Sequence, residues 1–234
     1  MPEFLHFTLA APMAAMGGLA IGERRYGENR PAKSAVIGIL CAALGVRREE
    51  EERQLSLDAG LALAILPISS GSLLTDYHTT QVPPARTRKD KGRGWSTRRD
   101  QLAESNLNTI LSWRDYRQGV AFECLLWSRA TQVIPLATLA TALARPVFTL
   151  YFGRKSCPLG RPPMARLLFA DDLPRAFGTE AGTILADTEA ETLAGTWRVQ
   201  RRHVRRDAIH RRHGWMFGQR EELVLVPPAE SATT

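Results

Sequence analysis

Residues 151–162 read YFGRKSCPLGRP: two adjacent cations, a serine, a cysteine, two prolines and two glycines in twelve positions. Three chemistries fit such a stretch: a nucleophile at Cys157 or Ser156, a phosphate cradle at Gly153, Arg154, Lys155 and Ser156, or a rigid turn. A nucleophilic thiol or hydroxyl needs a base beside it. No histidine stands nearby in sequence, and Ser156 lacks a G-x-S-x-G context. A Walker A loop is excluded too, because no glycine stands five residues before Gly153 and an arginine replaces the lysine. What remains is a braced turn in which glycine lets the backbone approach a phosphate and Arg154 and Lys155 neutralise it. Cys157 is then a packing residue. Two further places have the same chemistry. Lys33 and Ser34 open an apolar run, where a helix N-terminus favours an anion; an N-cap role explains Ser34 unaided, so Lys33 carries that expectation. Trp95 stands among Arg93, Arg98 and Arg99. It can stack on a base while its neighbours hold phosphates, or it can pin its segment to another protein.

The charge distribution points the same way. The chain has 234 residues and a net charge of +7. Residues 82–99 hold seven cations (Arg86, Arg88, Lys89, Lys91, Arg93, Arg98, Arg99) against Asp90, and residues 198–213 hold seven arginines against Asp207. Two segments of +6 inside a total of +7 leave the rest at −5. A mildly acidic body with two strongly basic segments implies a polyanion partner, since phosphate neutralisation dominates nucleic-acid affinity. The three cysteines form no CxxC pair and lie near no histidine, so neither a disulfide framework nor a metal site is expected. No apolar stretch nears the roughly 20 residues of a membrane span. The first residues carry a glutamate where a secretory signal carries a cation, so a cytoplasmic protein with no membrane partner is expected.

The elements that must position these groups follow from periodicity. Residues 4–10 alternate as a strand, a glycine-rich loop follows, and residues 34–44 place Val36, Ile37, Leu40 and Cys41 on one helical face before Gly45. Strands are expected at 61–68, 73–80 and 120–127, a helix at 135–144 and a short strand at 167–170. The acidic run 49–52 reads as a solvated connection, and 102–116 as a helix from Leu107, Ile110 and Leu111. Residues 83–99 lack periodicity and should project. Without that excursion the order approximates βαββαβ, an α+β ferredoxin-like (RRM-like) arrangement. Such a fold leaves one sheet face free of helices, a face that nucleic-acid modules commonly use. We divide the chain into residues 1–171 and a small C-terminal region, 172–234, that ends in a strand at 222–226.

Six segments in order resemble the CasD family of CRISPR-associated proteins, subunits of the type I-E Cascade complex. They are LAAPMAAMG at 9–17, RPAKSAVIGIL at 30–40, DYHT at 76–79, WRDY at 113–116, YFGRKSCPL at 151–159, and Arg205-Arg-Asp207 with Arg220-Glu221. The chain departs from that pattern in a longer, more basic insertion at 80–99 and in Arg117-Gln-Gly119 after WRDY. The resemblance implies a RAMP-type domain with a projecting basic hairpin, the thumb, at about 79–108. It implies a non-catalytic RNA-binding subunit with no cofactor. That subunit caps the 5′ handle of the guide RNA (crRNA), contacts the backbone subunit CasC and the large subunit CasA, and reaches target DNA indirectly. Expected RNA contacts are Lys33, Tyr77, His78, Arg86, Arg88, Trp95, Arg98, Arg99, Arg154 and Lys155. Related Cascade families contain metal-independent ribonucleases that activate a 2′-hydroxyl with Tyr, His and Lys. A repeat-processing endoribonuclease using Tyr77, His78 and a lysine is therefore the alternative; the same pair can instead stack on and hydrogen-bond a splayed base. Residues 201–212 can line the handle site, dock DNA or the large subunit, or form a basic linker.

Overall fold

The computed structural model describes residues 1–18, 20, 22–84, 94–129, 134–211, 214 and 216–229. The first strand, β1 (Glu3–Ala14), buries Leu5, Phe7 and Leu9 on one face and Phe4 and His6 on the other. After a two-residue strand, β2 (Arg24–Arg25), comes helix α1 (Lys33–Leu44). Gly45 ends the helix in the left-handed region at φ 74°, where residues 45 and 46 donate to Ala42 and Cys41, a turn that suits glycine. Ser34 is not the N-cap: Ala32 holds that position with no side-chain bond, and Ser34 lies inside the first turn. The acidic run opens a helix, α2 (Glu51–Gly60), because Gln54 and Leu57 fall on one buried face and the glutamates lie at the favourable N-terminal end.

Strands β3 (Leu61–Ser69) and β4 (Ser72–Val82) are where strands were expected, β3 largely buried and β4 mostly exposed. The expected helix at 102–116 does not form. A short helix, α3 (Arg98–Leu102), is followed by the 21-residue strand β5 (Asn108–Ser128). The spacing of Leu107, Ile110 and Leu111 is helical, but pairing with β4 from Val82↔Asn108 to Ser72↔Gln118 overrides it and sets Ile110 and Leu111 on opposite faces of a strand. The ribbon so formed starts at residue 72, before the projecting hairpin expected at about 79–108. At its base Gly71 (φ 67°) and Gly119 (φ 70°) both take the left-handed region, and a Cβ at Gly71 would lie 2.4 Å from the Gln118 oxygen. Helix α4 (Leu136–Ala144), strand β6 (Arg166–Phe169), helix α5 (Leu173–Phe177), strand β7 (Ile184–Asp187), a 3-10 turn (Thr188–Leu193) and strands β8 (Arg198–Arg211) and β9 (Met216–Val226) complete the chain.

The main strands form one antiparallel sheet in the order β6-β1-β5-β3-β7-β9-β8, so residues 172–234 extend the sheet of residues 1–171. On one face α1, α2 and α4 bury Val36, Ile37, Leu40, Leu57, Leu139 and Leu143 against β1, β3 and β5. Each such side chain stabilises by about 1.5–3 kcal/mol. The other face is not free, contrary to expectation. Phe4, Leu125 and Trp127 there are covered by Leu173, Phe177, Ala190 and Trp197, with Phe4 and Trp127 edge to face at 5.9 Å. Any nucleic-acid site must therefore lie elsewhere.

Candidate nucleic-acid interface

The 151–158 turn is anchored before it presents anything. Phe152 is fully buried and meets Phe122 edge to face at 6.1 Å. Its N–H donates to the Cys157 carbonyl (2.7 Å), and its own carbonyl accepts from the Ala15 N–H (3.0 Å). Gly153 takes φ 88°, and a Cβ there would lie 1.9 Å from the Ala15 oxygen, so only glycine fits. Cys157 is buried, as are the other two cysteines. The turn holds Arg154 half-exposed and Lys155 exposed. Arg154 donates to the Tyr116 hydroxyl (2.7 Å), and its guanidinium carbon lies 5.3 Å from that ring's centroid. The side chain is thus held in one orientation with donors to spare.

Opposite the turn, the glycine-rich loop is tied to the ribbon. The Gly27 N–H donates to Asp115 (3.2 Å), which also accepts from the Thr75 hydroxyl (2.8 Å), and β2 runs parallel to Trp113 and Arg114. Between loop, turn and the start of α1 lies a cleft of about 400 Å³ lined by Arg25, Tyr26, Arg48 and Arg154. It shares Gly17, Gly18, Ala32, Ser34 and Phe217 with a second compartment of about 950 Å³, whose far wall includes His203, Arg206 and His210. Arg25 and Arg48 escaped the sequence reading because they are far apart in the chain and lie outside both basic segments, whereas Arg206 falls in the 201–212 stretch that was expected to line the site.

Lys33 is a correction. Its side chain is 3% exposed and donates to Asp187 and to the Leu61 carbonyl, both at 2.9 Å, with Asp58 3.9 Å away. An ammonium so enclosed is a structural cation, not a phosphate contact. It belongs to a network of five cations (Arg30, Lys33, Arg129, Arg205, Arg220) and five carboxylates (Asp58, Asp187, Glu189, Asp207, Glu222). Burial pushes the Asp207 carboxyl up, but the Arg220 guanidinium, the Lys33 N–H and Arg205 outweigh it and hold it below the usual range. For Asp58 burial wins over Lys33, and its carboxyl sits above that range.

On the ribbon, Tyr77 and His78 point to opposite faces, as neighbours in a strand must. Tyr77 packs against Trp113 (centroids 5.3 Å apart) on the face that holds Thr75 and Asp115; His78 pairs with Asp76 on the reverse. The phenol and the imidazole therefore do not converge on one scissile bond. Trp95 is half-buried and donates to Glu104 (2.9 Å); Arg98 bonds Gln101 and the Gln81 carbonyl, and Arg99 is exposed. Arg86 and Arg88 lie outside the described residues. The structure thus groups Arg154 with the cleft, leaves Lys155 exposed next to it on the turn, sets Tyr77 on the ribbon face that also holds Asp115, and keeps Trp95, Arg98 and Arg99 by the ribbon's far end.

The basic C-terminal segment is strand β8, not a linker. Arg205 is drawn into the buried network, and Arg202 bonds Glu191 (2.6 Å) and faces Glu221 (3.6 Å). Arg198, Arg201, Arg206 and Arg211 remain exposed. Among the described residues no helix is long and apolar enough to cross a membrane.

A family model described as CRISPR-associated protein (Cas_Cas5) matches residues 4–224. The chain is similar to "CRISPR system Cascade subunit CasD" of Escherichia coli (strain K12), 28% identical over 176 residues, which is 75% of this chain and 76% of that protein. Among solved structures, a chain of "CRISPR RNA-guided surveillance complex" superposes with a TM-score of 0.63 at 23% identity, covering 97% of this chain and 91% of the other. A chain of "Crystal structure of Cas protein" does so with a TM-score of 0.63 at 22% identity, covering 96% and 95%. At such identities these two likenesses concern the fold.

Proposed function

The chain belongs to the CasD/Cas5 family of CRISPR-associated proteins, and from that we propose that it is a non-catalytic RNA-binding subunit of a type I-E Cascade complex. The strands β6-β1-β5-β3 with α1 and α4 are its ferredoxin-like βαββαβ unit, and the β4–β5 ribbon is its thumb. The 5′ handle of the guide RNA lies in the cleft between the glycine-rich loop and the 151–158 turn. Arg25, Arg48, Arg154 and Lys155 neutralise its phosphates, and Tyr77 with Trp113 offers an aromatic surface to an unstacked base. CasC and CasA are the neighbouring subunits, and target DNA is reached through the complex, in the cytoplasm. One observation carries the reading: cations from three distant segments meet around a single cleft, Arg154 held there by Tyr116. The separation of Tyr77 from His78 across the strand supports binding over cleavage.

The test is a titration of single-stranded repeat-derived RNA, in EDTA, between roughly 50 and 200 mM salt. Arg154→Ala should weaken binding and flatten the plot of log affinity against log salt by about 0.7 per lost phosphate contact. An unchanged slope would remove Arg154 from the interface. A specific cut in the recovered RNA, abolished by His78→Ala, would replace the binding reading with the nuclease one.

A further inference from the structure

Arg205, Arg206 and Asp207 line the larger compartment of the cleft, and together with Arg220 they surround the least exposed charges among the described residues. Asp207, on β8, accepts the backbone N–H of Lys33 at the first residue of α1 (3.0 Å). Helix α1 has no side-chain cap of its own and no acidic residue in its first turn. The positive end of its dipole, which favours a phosphate or any other anion, is thus occupied by an internal carboxylate from 174 residues away in sequence. That carboxylate is fixed in turn. Arg220 grips both oxygens (2.7 and 3.0 Å) and with its third nitrogen holds Asp187 (2.9 Å), to which Lys33 also donates.

These contacts join two opposite walls. Ala32 and Ser34, at the start of α1, line both compartments of the cleft; His203, Arg206 and His210 line the larger one from β8. Phe217, shared by both compartments, follows through its pairing with Ile209. The distance between the walls is therefore set where Asp207 meets Lys33.

We propose that Asp207, clamped by Arg220, is a positioning residue for the cleft: it excludes phosphate from the α1 terminus and fixes the β8–β9 wall at the spacing that fits single-stranded RNA. It does so without touching RNA. The part that concerns RNA rests on the function proposed above; the positioning does not.

The experiment uses the full chain with Asp207→Ala, Asp207→Asn and Arg220→Lys, each checked for folding by circular dichroism. Hydrogen exchange followed by mass spectrometry reads the wall. In Asp207→Ala the first turn of α1 and residues 203–211 should lose protection, while β1 and the 120–128 half of β5 keep theirs. Asparagine, which can still accept the Lys33 N–H, should restore the α1 turn in part; it also serves if the alanine variant does not fold. Unchanged exchange in both regions overturns the positioning. Titration with single-stranded repeat-derived RNA reads the consequence. Affinity should fall about 2- to 30-fold, the range expected when a coupling residue is removed, with the salt slope unchanged because no phosphate contact is lost. Wild-type affinity beside altered exchange overturns the link to RNA, and a flattened slope makes the segment a direct contact. Failure of the wild-type chain to bind any RNA counts against the proposed function, and the exchange data still decide the positioning.

Discussion

Gly153→Ala separates backbone fit from charge in the turn that carries Arg154. At φ 88° an L-residue loses about 1–2 kcal/mol to the clash of its Cβ with the backbone. The new Cβ would also lie 1.9 Å from the Ala15 oxygen, well inside any non-bonded contact, so the turn must move away from β1. That motion breaks the Ala15 N–H to Phe152 bond, worth about 0.5–1.5 kcal/mol net. Together the loss is about 1.5–3.5 kcal/mol, a fall in Tm of about 3–14 °C for a chain of this size. Gly119→Ala is the matched control: its φ is 70°, but nothing lies within 4 Å of its Cβ position, so only the conformational share, about 1–2 kcal/mol, is lost. Urea melts of both variants, analysed with a common slope, give the difference. RNA affinity measured where both are folded should drop for Gly153→Ala alone, since Arg154 would leave Tyr116. Equal midpoints for the two variants would refute the argument that the Ala15 contact selects glycine.

Three further outcomes follow from buried groups and from packing. The Asp58 carboxyl sits above its ordinary range because burial outweighs Lys33; its contribution to stability is present below the unfolded value and lost as pH rises through the folded one. Asp58→Asn should therefore gain stability relative to wild type as pH rises from about 4 to 7, and a gain that is largest in acid would contradict the assignment. All three thiols are buried, and burial, with Glu123 adding, pushes the Cys124 thiol far up. A thiol reagent should label none in the native protein and three after denaturation; labelling of native Cys157 would revive it as a reactive group. Phe177→Ala should destabilise by about 3–5 kcal/mol in denaturant melts, because Phe177 closes the second sheet face over Phe4 and His6; a loss under about 1 kcal/mol would leave that face effectively open.

By itself the sequence determined whatever depends on near neighbours. Alternation marked β1, short apolar runs marked β3 and β4, the 3.6-residue period with Gly45 marked α1, and the glycine and proline spacing of 151–162 marked a turn presenting Arg154. The two +6 segments pointed to a polyanion, and six short segments in order pointed to the family. Local signals failed where long-range pairing overrides them: 102–116 reads as a helix from its own spacing, and its pairing with β4 makes residues 108–116 a strand. Charge could be counted in the sequence but not sorted. Lys33, Arg205 and Arg220 look like Arg154 in composition, yet carboxylates brought in from β7, β8 and β9 bury the first three, while Arg154 meets only a tyrosine and stays half-exposed. The cleft was illegible for the same reason, since Arg25, Arg48, Arg154 and Arg206 share no spacing. Which cations face solvent, and which are locked in pairs, depends on contacts between strands and on partners as far apart as Lys33 and Asp187, 154 residues from each other, and only the assembled sheet brings those partners together.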